Sequence, residues 1–423
     1  MIAIENVNYS YSHHLNLIDC ITGVIMLYTQ GKTDCGPREA GYNEQRLDVL
    51  NRHFQRLIDD KEIQCAAYCF SRKGRVFAHG AVGKKLFRKN DNTPAQPDSI
   101  RYIASITKTF TATAIMKLVE DGVTRLDVSV GEILPQFNSP PYNAVNLFNL
   151  LTHTSGLHAD KGCFENKHQL TYWDMIERGY RLHKTEDGEF DWIAAALSSI
   201  GNGFRVKPNT EWAYCSFGYT ILGAVIEKLT GMSAHKFIED NITKPLGMKD
   251  TVFDLTPGMA ERFIVTDEEL EKVINSVING TYEPQWIGEK LKIPNTGGGL
   301  NGTAYDLVRF GNMMLFGGTF EGTRILGRKA VEKMTTPAIH NKPDYCWNAN
   351  TQDRGYGIGF DMRNGIEFSF SQNTFLHEGS GACAMYIDPK EEFAAAWIVP
   401  YVVDGWFGRA QYNTQNIIWS GIL

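Results

Sequence analysis

Residues 105–122 read Ser-Ile-Thr-Lys-Thr-Phe-Thr-Ala-Thr-Ala-Ile-Met-Lys-Leu-Val-Glu-Asp-Gly. From Thr109 to Met116 there is no charge, and the apolar run continues through Leu118 and Val119 before stopping near Gly122. A helix without a charged face over two turns belongs inside a protein, so the stretch predicts a buried helix. It divides two kinds of sequence. Before it come a helix at Asp48–Asp60, with Leu47, Leu50, Phe54 and Leu57 on one stripe, and a hairpin of Cys65–Ser71 and Val76–Val82 turning at Lys73-Gly74. Lys84–Ser99, polar and carrying Pro94 and Pro97, reads as a loop. After it, to about residue 335, the pattern is mostly helical, broken by polar loops at Lys161–Gln169 and Lys184–Glu189. The clearest of these helices is Gly218–Leu229, closed by Gly231. Strands return at Ala382–Ile387 and Phe393–Val399 around the turn Asp388-Pro389-Lys390, and a last helix is expected at Ala410–Trp419.

Strands at both ends and helices between them predict an α+β fold. An antiparallel sheet built from the two ends of the chain is flanked by helices and carries an inserted all-helical lobe. Residues 45–120 and 335–423 form the sheet lobe and residues 121–334 the helical lobe. Residues 1–44 lack clear periodicity and end in the loop-like Cys35-Gly36-Pro37, so they are expected to be an appendage. No internal repeat or low-complexity tract is found.

Composition excludes several classes. Of 423 residues, 43% are apolar and 21% charged, which is globular and neither disordered nor coiled-coil. The net charge of −6 gives no electrostatic case for nucleic acid or an anionic membrane. No window approaches 18 uninterrupted apolar residues, the length a membrane span needs. Eight cysteines are too sparse for a disulfide scaffold, and no Cys/His group has zinc spacing, so no metal or other cofactor is expected. The start of the chain does not read as a signal peptide: the first lysine or arginine is Lys32, and Asp19 interrupts the apolar stretch Leu15–Tyr28. Reduced thiols in a cytoplasm follow as the expectation.

The candidate chemistry begins at Ser105 and Lys108. A serine hydroxyl is a poor nucleophile near neutrality and needs a base and a positive environment. The i, i+3 spacing places Lys108 beside Ser105, and the helix start adds free N–H groups and partial positive charge. The chain contains its own control in Ser233-Ala234-His235-Lys236, which has identical spacing and reads as an ordinary helix cap. A second signal is Tyr214-Cys215-Ser216 ahead of an apolar helix, where a tyrosine beside an ammonium group can be held as phenolate. A third is His377-Glu378-Gly379, followed by Ser380, at the lip of the C-terminal hairpin. Its glycine lets a substrate approach the strand, and the next N–H can face an oxyanion.

Taken together, in this order, these segments resemble the penicillin-recognising serine hydrolases, in the branch of class C β-lactamases, D-amino-acid peptidases and their esterase relatives. Longer stretches carry the resemblance as well: Leu150-Leu151-Thr152-His153-Thr154-Ser155-Gly156-Leu157, Pro208-Asn209-Thr210-Glu211-Trp212-Ala213-Tyr214, Pro245-Leu246-Gly247-Met248, Gly297-Gly298-Gly299-Leu300 and Tyr356-Gly357-Ile358-Gly359-Phe360. It covers residue 46 or so to the end.

The resemblance implies Ser105 as the nucleophile of an acyl-enzyme, with Lys108 easing deprotonation and Tyr214 as general base. It implies an oxyanion hole from the backbone N–H groups of Ser105 and Ser380, and substrate contacts from Ser216, His377, Glu378 and Gly379. His153, Gly156 and the glycine run fall in stretches that look structural. Three departures bear on substrate. Ser216 stands where the family often has an amide-binding asparagine, although nylon-oligomer hydrolases of the family also show Tyr-Cys-Ser. The third motif lacks the Lys-Thr-Gly that grips a substrate carboxylate. His377 carries at most a fractional charge near neutral pH, and strand alternation can turn the negative Glu378 away.

The leading reading is therefore a serine hydrolase of small esters, amides or peptide-like compounds. A D-stereospecific peptidase or weak β-lactamase stands behind it, and a non-catalytic scaffold or ligand sensor with the same fold is the alternative of another class. The sequence sets no oligomeric state.

Overall fold

The computed structural model describes residues 15–19, 25–163, 171–183, 190–199, 206–347, 351–363, 367–400 and 409–423. The expected loop at Lys184–Glu189 and part of that at Lys161–Gln169 lie outside the described residues.

Among the described residues, the main sheet has seven strands: β1 (Leu15–Asp19), β2 (Ile25–Gln30), β3 (Cys65–Arg72), β4 (Arg75–Gly83), β5 (Phe375–Gly379), β6 (Cys383–Asp388) and β7 (Phe393–Ile398). Their order across the sheet is β1-β2-β4-β3-β7-β6-β5, and every neighbouring pair is antiparallel. The two ends of the chain meet at the β3–β7 pair, where Cys69 lies opposite Ala396 and Tyr68 opposite Trp397.

Strand alternation sorts the core into two faces. Tyr68, Phe70, Tyr386 and Trp397 pack under α1 (Gln45–Asp59) and the terminal helix, with Leu50, Phe54, Leu57 and Ile418 completing that layer. Cys65, Ala67, Cys69, Met385 and Ala396 face the other way, toward α2 (Thr107–Glu120), α3 (Ser216–Thr230) and α4 (Ala304–Leu315). Helix α4 lies close on the sheet because Gly311 has no side chain; a Cβ there would sit 3.2 Å from that of Ala394. The helix α5 (Gln411–Trp419) closes the opposite face. Helix α2 is buried as its uncharged sequence predicts, with Thr107 through Met116 all inaccessible.

One expectation is corrected. Residues 25–44 are not an appendage. Strand β2 pairs with β4 through Tyr28–Val82, Thr29–Ala81 and Gln30–Gly80. The Thr29 hydroxyl donates to the carbonyl of Ala95 at 2.7 Å, and fully buried Tyr42 donates to that of Ile418 at 2.8 Å. A six-residue strand joined to its neighbours through its backbone leaves almost no periodicity to read. Among the described residues, no helix is long and apolar enough to cross a membrane.

Candidate active site

Ser105 sits in a single 3-10 turn, Ala104–Ile106, that runs directly into α2. Ala104 immediately before it has φ +44°, the left-handed region that a residue with a Cβ rarely adopts. Strained backbone at this point lets the chain swing from a strand into a buried helix with the serine at the corner.

Lys108, one turn on, is completely buried, and its Nζ has three acceptors: Ser105 Oγ at 3.2 Å, Ser216 Oγ at 3.1 Å and the Gly297 carbonyl at 2.7 Å. An ammonium group has three N–H donors, so the seat is filled. Burial pushes the lysine down to about 8, with Asp160 and Cys215 pulling the other way. Gly297 thus does more than its family-like glycine run implied, since its backbone oxygen is one wall of the lysine seat.

Tyr214 is held by its own backbone neighbours. Ala213 N–H donates to the carbonyl of His153, Cys215 N–H to His153 Nδ1 at 3.0 Å, and Asp160 N–H to the carbonyl of Tyr214 at 2.8 Å. Its ring lies 4.7 Å from Lys108 Nζ, against His153 and Trp347, and its hydroxyl is on the Ser105 side of the site. Burial raises the phenol well above its ordinary value. The resting phenolate expected from the lysine's proximity is therefore disfavoured: desolvation outweighs the neighbouring ammonium. Cys215 caps α3, its sulfur accepting from Gly218 N–H, and burial pushes its thiol up to about 12. His153 lends an acceptor nitrogen to that cap, and burial and Lys108 hold it neutral.

The third motif is brought to Ser105 by a close backbone contact. A Cβ on Gly379 would lie 2.4 Å from the Ile103 carbonyl oxygen. That glycine therefore admits the Ser105 turn against strand β5, where sequence reasoning had reserved room for substrate. Ser380, exposed, follows Gly379 just past the end of β5. His377 faces the site with its ring 6.4 Å from that of Tyr214. Its Nδ1–H donates to the Glu378 carbonyl at 2.8 Å, and burial with Lys108 nearby lowers it to about 3, so it is neutral. Glu378 points to the other side of the sheet. Its carboxylate takes both guanidinium nitrogens of Arg363, at 3.1 and 2.8 Å, and bonds with Tyr386 and Gln411. The expectation that Glu378 contacts substrate is corrected, because adjacent strand residues face opposite ways. Ser233, the control, caps its helix through Lys236 N–H.

The residue that sequence reasoning missed is Asp160. Its Oδ1 accepts from Ser216 N–H at 2.8 Å and its Oδ2 from Ser216 Oγ at 2.5 Å. Nothing in its spacing signals this, since 56 residues separate the pair. Among the described residues no group of three His, Cys, Asp or Glu side chains could hold a metal.

An antiparallel sheet fed from both ends of the chain, with a serine–lysine pair at the head of the buried helix, is the arrangement of β-lactamases and penicillin-binding proteins. The chain belongs to the Beta-lactamase family, whose model matches residues 50–406. It is 29% identical over 329 residues to penicillin-binding protein 4 of Amycolatopsis lactamdurans, covering 73% of this chain and 78% of that protein. With esterase EstB of Burkholderia gladioli it shares 28% over 289 residues, 62% of this chain and 68% of the esterase. In fold it is similar to EstCE1, described as a hydrolase with promiscuous acyltransferase activity, at TM-score 0.67 and 18% identity over 89% of this chain and 99% of that one.

Proposed function

We propose that this protein is a serine hydrolase that cleaves small esters or amides through an acyl-enzyme on Ser105. The observation that carries the reading is the pair Ser105 Oγ–Lys108 Nζ at 3.2 Å, with burial lowering the lysine to about 8. A base poised near the working pH transfers protons most effectively.

In this reading Lys108, in its neutral form, takes the Ser105 proton as Oγ attacks the substrate carbonyl. The backbone N–H groups of Ser105 and Ser380 stabilise the resulting oxyanion. The Tyr214 hydroxyl then passes a proton to the leaving oxygen or nitrogen and is resupplied from the Lys108 ammonium. Water repeats the sequence on the acyl-enzyme, releasing the acid and restoring the Ser105 hydroxyl.

The character of the third motif supports a substrate without a required carboxylate. His377 is neutral, Glu378 is engaged behind the sheet, and no lysine or arginine lies in residues 375–382. That weighs against a D-stereospecific peptidase or a penicillin-directed enzyme, although similarity to a penicillin-binding protein keeps the former as the second reading. The test is exposure to a fluorophosphonate probe, with intact mass and peptide mapping. A single adduct on Ser105, absent from Ser105→Ala, is expected, followed by turnover of p-nitrophenyl esters ahead of cephalosporins. Folded protein without an adduct would favour a scaffold or ligand sensor.

A further inference from the structure

Asp160 lies outside the three catalytic motifs, yet it is the carboxylate bound to the second-motif serine. We propose that Asp160 is a positioning residue for acylation: it fixes Ser216 as a hydrogen-bond acceptor and so keeps Lys108 seated beside Ser105. The inference rests on the reading of Ser105 as the nucleophile.

A serine hydroxyl has one proton to give, and a carboxylate oxygen only accepts. With Asp160 Oδ2 2.5 Å from Ser216 Oγ, that proton points at Asp160. The lone pairs of Ser216 are then left for Lys108 Nζ at 3.1 Å. If the hydroxyl turned, two donors would face each other and the lysine would lose an acceptor. Asp160 also fixes the backbone on both sides of Cys215, through Ser216 N–H at 2.8 Å and the Tyr214 carbonyl at 2.8 Å. One side chain and its own N–H thereby set the positions of both ends of the Tyr-Cys-Ser motif.

The charge of Asp160 acts in the same place. The titratable groups facing Lys108 come from several segments. Tyr214, Cys215 and Tyr219 come from the second motif and α3, His153 from the loop before it, and His377 from β5. Burial keeps both histidines uncharged and raises Tyr214, Tyr219 and Cys215. Asp160 is the carboxylate among them, opposing the desolvation that drives the lysine's proton off. The same hydrogen bonds leave Ser216 without a free donor for substrate.

The experiment follows the rate of fluorophosphonate labelling of Ser105 against pH, which needs no knowledge of the substrate. In Asp160→Asn the plateau should fall about tenfold or more. The rising limb should move to lower pH by about half a unit or more, because removing the negative charge releases the Lys108 proton sooner. A role confined to holding the loop would lower the plateau and leave the limb in place, and that outcome would overturn the proposal. Ser216→Ala, which keeps the carboxylate, should also slow labelling about tenfold; a rate within about threefold of wild type would overturn it even where Asp160→Asn does not fold. A wild-type protein that is never labelled fails the nucleophile reading itself, and this inference with it. A labelled wild type with an unmoved limb fails this inference alone.

Discussion

Lys108 donates to the carbonyl oxygen of Gly297 at 2.7 Å across a separation of 189 residues. The lysine is therefore pulled from behind by a backbone oxygen of a distant loop while its other two protons reach Ser105 and Ser216. A completely buried ammonium is costly unless hydrogen-bonded, and this seat satisfies every donor while burial still brings the group down to about 8. Stability and reactivity at this point come from the same three contacts.

Hydrolysis should therefore depend on pH through Lys108. In the proposed reaction the neutral lysine is the active form, so kcat/KM should rise about tenfold per unit below the midpoint and level off above about 8. A pH–rate profile with a stable ester checks this; activity that falls between pH 7 and 9 in folded protein would assign the base elsewhere.

Tyr214→Phe removes the hydroxyl that faces Ser105 and should slow acylation about 100-fold or more. Ser233→Ala removes only a helix cap, so it should cost about 1 kcal/mol of stability and leave the rate alone. Stopped-flow acylation of both variants separates the two serine–lysine pairs.

Gly379→Ala would place a methyl group 2.4 Å from the Ile103 carbonyl oxygen. Neither partner is a flexible side chain, so β5 and the Ser105 turn must separate. Ser105 labelling should drop about tenfold or more while far-UV circular dichroism stays near wild type. An unchanged rate would mean that the turn and the strand adjust without consequence.

Glu378→Ala leaves the half-buried Arg363 with Asp361 as its carboxylate partner and strips an acceptor from Tyr386 and Gln411. Removing one partner of this part-buried network should cost about 1–3 kcal/mol. Chemical denaturation should show that loss, whereas KM for a neutral ester should be unchanged. A raised KM without loss of stability would return Glu378 to the substrate side.

Acid should unfold the protein early. His53 and His235 are lowered to about 4 and His377 to about 3, each mainly by burial. Below about 6.5 the unfolded chain binds protons that the native state does not, so stability falls with pH by about 1.4 kcal/mol per unit for each histidine, down to its folded value. His235 shows why: its Nε2 accepts from Asn295 N–H at 3.1 Å, and a protonated ring cannot. Melting temperatures between pH 7 and 5 test the sign, and His235→Gln should flatten the slope.

Local pattern alone determined a good part of this molecule. The uncharged run from Thr109 to Met116 marks α2 as buried and Gly231 marks the end of α3, because helices, turns and caps are decided within a few residues; Ser105, Lys108 and Tyr214 are candidates by residue type and spacing, and only the family resemblance sets them apart from the Ser233–Lys236 pair. What required the tertiary structure is everything that one backbone oxygen or carboxylate does to a distant residue. The pairing of β2, the Gly297 seat and the Asp160–Ser216 bond leave no periodicity in the chain. Glu378 and His377 are neighbours in sequence, yet the sheet sends one to a part-buried ion pair and the other to the site. Even the protonation of Tyr214 turned on burial, and burial is a property of the packed molecule, not of any segment of it.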